Sequence, residues 1–165
     1  MTDYFVRQDL QSEVSKPGLL PWAQEVAAAA DKQDIYRSKE GRKTLRFERG
    51  GRSYFLKLHN GIGWGEIFKN LLQGRLPVLG ALNEYRAVEA LTRIGVDTMS
   101  IAAYTSRGRN PAATQSLIVT DDLIGTVSLE DYCANWANKP PKFATRLKLL
   151  LKLADSARLM HSAGI

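Results

Sequence analysis

Lys57 and Glu84 are the two side chains whose types and order along the chain could do chemistry together. Lys57 lies in the alternating segment Tyr54-Phe55-Leu56-Lys57, which predicts a strand, and Glu84 lies in the next substantial helical segment, 81–93. A strand ammonium can neutralise nucleotide phosphates as a compact cation, and a helix carboxylate behind it keeps the long side chain in place. Each residue could also be an ordinary solvated charge. The pair in this order, with the acidic segment Asp121-Asp122-Leu123 downstream, favours nucleotide binding.

A basic turn precedes the lysine strand and is a second candidate contact with phosphate. Its glycine, Gly41, is followed by Arg42 and Lys43. Backbone N–H groups of such a turn can bind an anion, and either basic side chain could face it. A plain solvated hairpin explains the same residues equally well.

The segment Asp121-Asp122-Leu123 ends a predicted strand and is the third candidate. It fits a hinge whose backbone groups would meet an adenine edge, and it fits a simple strand-ending Asx turn equally well. His59 and His161 lie far apart without companion ligands, so we expect structural histidines and no metal site. Cys133 has no visible base partner and is expected to be a packed thiol.

The elements that must position these residues follow from hydrophobic periodicity and turn residues. Strands are predicted at 35–37, 44–48, 53–59, 101–104 and 116–120, and helices at 66–72, 81–93 and 143–162. Ser128 is expected to cap a further short helix. The fold class is therefore α+β, an antiparallel sheet with one main helix followed by helices. We expect an N-terminal extension outside the core (1–33), a sheet lobe (34–120), and a hinge with the start of a helical lobe (121–165).

Composition limits the classes of partner. The chain has 165 residues, 44% of them hydrophobic, and a net charge of +6. This predicts one globular domain with an anionic partner, and since no nucleic-acid motif is present we expect no nucleic acid. One cysteine, no signal peptide and no long apolar run favour the cytoplasm, with peripheral membrane contact left open.

Several segments together resemble one family, the lipopolysaccharide core heptose(I) kinases. They are Thr44-Leu45-Arg46-Phe47, Tyr54-Phe55-Leu56-Lys57, Gly65-Glu66-Ile67, Lys69-Asn70-Leu71-Leu72, Pro77-Val78-Leu79-Gly80-Ala81, Gly95-Val96-Asp97-Thr98-Met99, Ser128-Leu129-Glu130-Asp131-Tyr132-Cys133 and Met160-His161-Ser162-Ala163-Gly164-Ile165. The resemblance implies a protein-kinase-like fold that phosphorylates the first heptose of the lipopolysaccharide inner core with ATP and Mg²⁺, at the cytoplasmic face of the inner membrane. It also implies that Lys57 binds phosphate, that Glu84 orients it, and that 121–123 form the hinge.

Two departures from the family pattern affect what we expect. Phe55 stands two residues before Lys57, where kinases commonly place a small residue over the adenine, so that roof should differ in shape. The family's catalytic loop and metal-binding segment are expected beyond Ile165, so no catalytic residue or Mg²⁺ ligand is assigned, and this polypeptide alone is expected to be inactive.

The alternative function is a non-catalytic kinase-like module that binds a partner or a membrane surface. The helix at 143–162 carries leucines around much of its circumference together with basic residues such as Lys148 and Lys152. We expect a large part of this helix to be exposed.

Overall fold

The computed structural model describes residues 4–15, 18–39 and 41–165. Its strands are β1 (Tyr4–Val6), β2 (Ile35–Lys39), β3 (Arg42–Arg49), β4 (Arg52–Asn60), β5 (Ile101–Arg107) and β6 (Gln115–Asp121). Its helices are α1 (Gln8–Val14), α2 (Leu19–Ala29), α3 (Gly63–Leu72), α4 (Leu82–Arg93), α5 (Leu129–Cys133) and α6 (Phe143–Ser162), with a 3₁₀ turn at Lys32–Asp34. The strands form one sheet in the order β1-β5-β6-β4-β3-β2, antiparallel throughout. The predicted α+β class is confirmed.

The chain divides into two compact units. The sheet unit comprises the residues up to Val88 together with Met99–Asp122, and the helical unit comprises Glu89–Thr98 and Leu123–Ile165. Helix α4 passes from the first unit to the second. The lobe boundary expected after residue 120 stays a prediction.

The β3–β4 hairpin shows how local sequence sets the sheet register. Gly50 and Gly51 both have positive φ, 55° and 72°, as a tight two-residue turn requires. The strands then pair from Arg49 opposite Arg52 onward, which places Leu45 opposite Leu56. Both leucines are fully buried. Because side chains alternate between the two faces of a strand, Lys57 points to the opposite face from Leu56.

The N-terminal segment is a core element, so the expectation that it lies outside the core is wrong. Helix α2 buries Leu19, Trp22, Ala23, Val26 and Ala27. These side chains belong to the same apolar cluster as the inward-facing residues of β3, β4 and β6. Ala23 and Ala27 have small side chains, which let α2 lie closely against the sheet. Strand β1 was missed because three residues carry too little periodicity to be recognised.

The helical unit has two helices after the sheet unit ends. Ser128 caps α5 as predicted, because its Oγ accepts the N–H of Asp131 at 3.0 Å. Helix α6 spans 20 residues and buries none of them. Leu150 and Leu151 are each 61% exposed, which confirms the expected exposure of this helix. Among the described residues no helix is both long and apolar enough to span a bilayer.

Candidate functional site

The structure brings Lys57 and Glu84 into direct contact. The Nζ atom of Lys57 donates to Oε1 of Glu84 at 2.5 Å, and the two side chains are 34% and 28% exposed. Lys57 lies on β4 between Thr44 of β3 and Ile118 of β6, so its backbone is held on both sides. The ammonium is thereby fixed at the sheet face while remaining accessible to an anion.

The position of Glu84 depends on how α4 is attached to the sheet. The N–H of Ala81, just before α4 begins, donates to Oγ of Ser116 on β6 at 3.0 Å. A side chain at Gly80 would collide with the same Oγ, so glycine allows this close approach. One residue after Glu84, Tyr85 stacks on Tyr104 with ring centres 4.2 Å apart. The first turn of α4 therefore cannot shift without disturbing β5 and β6.

Gly41, for which the sequence left open a phosphate-covering loop or a plain hairpin, lies in the β2–β3 turn. Gly41 has φ +71°, and a Cβ there would collide with the carbonyl of Gly61. The N–H of Asn60 donates to the carbonyl of Gly41 at 2.8 Å, so the turn lies against the end of β4. An open groove of about 370 Å³ runs beside this turn, lined by Ser38, Lys39, Gly41, Arg42, Lys43 and Asn60.

The two basic side chains after Gly41 contact the protein itself. Lys43 donates to the carbonyl of Ala27 at the C-terminal end of α2, on the face of the sheet opposite Lys57. Arg42 donates to the carbonyl of Val78 at 2.7 Å. Strand alternation thus places Lys43 on the face opposite Lys57, and Arg42 already has a backbone acceptor. A contact of either side chain with an anion stays a prediction.

Asp121 and Asp122, which we call the strand exit, are held on opposite faces of the sheet. Asp121 accepts two bonds from Arg7, at 2.6 and 2.8 Å. Asp122 accepts from Arg46 at 2.9 Å and from Ser53 at 2.7 Å. Neither carboxylate makes the local backbone bond of an Asx turn in these contacts. The hydrogen bond to Asp122 is the largest cause that raises the pKa of Arg46.

The backbone N–H groups of the strand exit are also used. Asp121 donates to the carbonyl of Ser100, and Asp122 donates to that of Ser53, both at 3.0 Å. Leu123 follows as the first residue of the helical unit and is 55% exposed. Arg7 and Arg46 were missed by sequence reasoning because they lie 114 and 76 positions from their partners, and no local signal marks so distant a pair.

Two more side chains share the face of Lys57. Phe55 packs its ring against Tyr36 of β2 at 5.2 Å between centres, so an aromatic pair occupies the place of the small residue that kinases commonly use. Burial, followed by the charge of Arg42, lowers the pKa of His59. His59 is therefore neutral near pH 7, because its ordinary pKa of about 6.5 already lies below that pH.

The other predicted features belong to the helical unit. Cys133 is half-buried on α5 and His161 is exposed on α6. Within the described ranges, no three His, Cys, Asp or Glu side chains come close enough together to hold a metal ion.

Comparison with known proteins decides the family. A model of the lipopolysaccharide kinase (Kdo/WaaP) family matches residues 26–165. The chain belongs to this family. It is 45% identical over 156 residues to the lipopolysaccharide core heptose(I) kinase WaaP of Escherichia coli K12, covering 93% of this chain and 59% of that protein. It is 48% identical over 131 residues to the heptose(I) kinase WaaP of Pseudomonas aeruginosa, covering 79% and 49%.

A solved structure of a member of the Kdo/WaaP family shows the same fold. It is a structure of WaaP in complex with acyl carrier protein, and it matches with a TM-score of 0.64 and 33% identity. The match covers 85% of this chain and 48% of that one. The resemblance inferred from sequence and the kinase-like fold are confirmed. The chain spans about half the length of the curated relatives it matches.

Proposed function

We propose that this chain carries the nucleotide-binding part of a heptose(I) kinase of the lipopolysaccharide core. The complete reaction would move the γ-phosphoryl group of ATP to a hydroxyl of the first inner-core heptose. The observation that carries the proposal is the Lys57–Glu84 ion pair at 2.5 Å. It occurs in a chain that is 45–49% identical to proteins named as heptose(I) kinases.

Each candidate residue then has a distinct task. The ammonium of Lys57 binds the α- and β-phosphates, and Glu84 orients it by accepting one of its protons in a hydrogen bond. The backbone of the turn at Gly41 lies over the phosphates, where N–H groups favour negative charge. The rings of Phe55 and Tyr36 offer an apolar surface for the adenine. The hinge at 121–123 presents to the adenine edge the backbone groups that remain after the N–H groups of Asp121 and Asp122 have bonded to Ser100 and Ser53.

Kinases also use Mg²⁺ to offset the charge of the transferred phosphate. Magnesium prefers carboxylate oxygens and water. In the part of the chain that the structure describes, no group of three metal-ligating side chains forms. The residues that the structure describes therefore do not make a magnesium site, and Asp121, Asp122 and Asp155 are not assigned as metal ligands or as a catalytic base.

The acceptor is part of a lipid-linked saccharide, so we propose that the complete protein works at the cytoplasmic face of the inner membrane. Helix α6 gives little support to a purely membrane-binding module. Its charged residues Arg146, Lys148 and Arg158 are spread around the axis among leucines, whereas a membrane-surface helix separates its polar and apolar faces. By relation to the solved complex, acyl carrier protein is a further candidate partner.

Substitution of Lys57 tests the proposed function, and the chain offers a matched control. In the protein as its host produces it, Lys57→Met should weaken ATP binding at least about tenfold, because a charge-assisted contact is lost. Heptose phosphorylation should fall by about 100-fold or more. Lys69 makes a similar ion pair with Glu66 at 3.3 Å within α3. Lys69→Met should change neither ATP binding nor heptose phosphorylation. Equal losses in both variants would contradict the proposal.

A further inference from the structure

We propose that Arg7 is a positioning residue for the nucleotide, because it fixes the strand exit from which the hinge continues. The inference rests on the proposed function and adds a residue to its site. Arg7 lies outside residues 26–165, the part of the chain that the family model matches. It stands between β1 and α1, and its own N–H donates to the carbonyl of Ala102 on β5 at 2.8 Å.

The guanidinium of Arg7 joins two carboxylates. Its two terminal nitrogens donate to both oxygens of Asp121, at 2.8 and 2.6 Å. Its Nε and one terminal nitrogen donate to both oxygens of Asp9, at 2.9 and 2.8 Å. A planar group with five donors in a fixed fork can make both bidentate contacts at once, and lysine cannot. Only arginine can therefore make all four of these hydrogen bonds at this position.

The second carboxylate ties the cluster to the strand of Lys57. Asp9 also accepts from the hydroxyl of Tyr54 at 2.9 Å and from Arg52 at 3.0 Å. Tyr54 is almost completely buried on β4, and Asp121 lies opposite it in the β4–β6 pairing. Arg7 is thus anchored at the same level of the sheet as the residue it holds. The hydrogen bond from Arg7 is the largest cause that lowers the pKa of Asp9, so this carboxylate stays ionised well below neutral pH.

The strand exit is held from both faces at once. Arg7 binds the carboxylate of Asp121 on one face, and Arg46 binds that of Asp122 on the other. Both backbone N–H groups are bonded as well, that of Asp121 to the carbonyl of Ser100 just before β5 and that of Asp122 to the carbonyl of Ser53 on β4. With side chains and donors committed, the backbone of Asp121 and Asp122 is held in place within the sheet unit. A fixed backbone edge binds a flat base at a lower entropic cost than a mobile one.

Loss of Arg7 should therefore affect nucleotide binding more than phosphoryl transfer. The hinge contacts the base, whereas the transferred group lies at the other end of the nucleotide near Lys57. Interactions that are equal in the ground state and the transition state change KM and leave kcat alone. In Arg7→Ala we expect the Kd and KM for ATP to rise about tenfold, with kcat within about twofold of its original value.

The test measures ATP affinity and kinetics in the complete protein with three companion variants. Arg7→Lys keeps the charge without the fork and should show most of the loss. Arg49→Ala removes another arginine that binds the N-terminal segment, through Glu13 at 3.1 Å, and should leave ATP affinity unchanged. In an Asp121→Ala background, Arg7→Ala should have little further effect, because its partner is already gone.

The outcomes separate this inference from the proposed function. If Lys57→Met loses ATP binding but Arg7→Ala does not, Arg7 is structural only and the inference is wrong. An Arg49→Ala variant as weak as Arg7→Ala would also overturn it, since general loosening of the N-terminal segment would then explain the effect. If Lys57→Met keeps full ATP affinity, the site itself is wrong and the inference falls with it. Thermal unfolding of each variant shows whether any loss merely follows loss of stability.

Discussion

The sheet unit buries many of its apolar side chains, whereas the helical unit leaves its apolar side chains exposed or only half-buried. In the sheet unit α1 and α2 cover one face of the sheet and α4 begins on the other, and every buried hydrophobic residue of the described chain lies in this unit. In the helical unit α6 buries none of its 20 residues, although it is rich in leucine. Leu56 and Leu150 illustrate the contrast, since one is completely buried and the other is 61% exposed.

This difference indicates that the sheet unit is the part of the chain that can hold a nucleotide-binding site in a fixed geometry. The pair Lys57–Glu84 and the strand exit both rest on strands that are packed on two sides, so their geometry is set within one unit. A site needs this kind of rigid support, because small displacements of charged groups weaken binding and catalysis. The helical unit offers an apolar surface of the kind that proteins cover with further protein.

The largest expected effect compares one chemical change in the two units. Leu56→Ala should lower the free energy of unfolding by about 3 kcal/mol, because it leaves a cavity in a closely packed core. Leu150→Ala should change it by less than about 0.5 kcal/mol, because the side chain already contacts water. Urea unfolding of both variants measures the difference. Equal costs would mean that α6 is as well packed as the sheet, which would break the comparison.

Sequence reasoning recovered strands β2 to β6 and helices α3, α4 and α6 because their patterns are local. The meander β2–β4, the cap at Ser128 and the bounds of α6 all follow from periodicity and turn residues within a few positions. The role of α2 did not follow, since a helix of small residues next to Trp22 has no local sign of the sheet it covers. Packing between distant segments decides it.

Part of the candidate site could likewise be predicted from the sequence, and part could not. Lys57, Glu84 and Gly41 could be named because each lies on an element whose type the sequence shows, and the structure joins the first two by a hydrogen bond. Arg7 and Arg46 could not be found, because their partners are fixed by sheet order. Only the placement of β1 beside β5 and β6 beside β4 brings them together.

The second prediction concerns the polar support of the sheet unit. Asp9→Asn should lower the free energy of unfolding by about 2 kcal/mol near neutral pH, because the carboxylate accepts bonds from Arg7, Arg52 and Tyr54. The pKa of Asp9 is lowered on folding. Its stabilisation is therefore present above about pH 4, the ordinary range of an aspartate, and is lost as the pH falls further. Unfolding curves across this range should show the two proteins converging in acid, and a constant difference would contradict the ionic role.

A third prediction tests the best-defined local contact of the helical unit. Ser128→Ala removes the acceptor of the Asp131 N–H and should destabilise α5 by about 1 kcal/mol. Hydrogen exchange at the first amides of α5 should speed up, while exchange in β4 and β6 stays the same. Ser128→Asp keeps an acceptor and should restore protection. Faster exchange in the sheet strands as well would show that the two units unfold together, against the contrast drawn above.

The smallest expected effect lies on the surface of the helical unit. Lys152 on α6 pairs with Asp97 at 3.0 Å, with the side chains 71% and 86% exposed. Charges so well solvated attract weakly and lose side-chain freedom on pairing, so Lys152→Ala should change the free energy of unfolding by at most about 0.5 kcal/mol. Added salt should remove even that difference, because exposed charges are screened. A larger effect that survives high salt would mean that this pair is buried in solution, and α6 would then be covered in a way that its exposed leucines do not show.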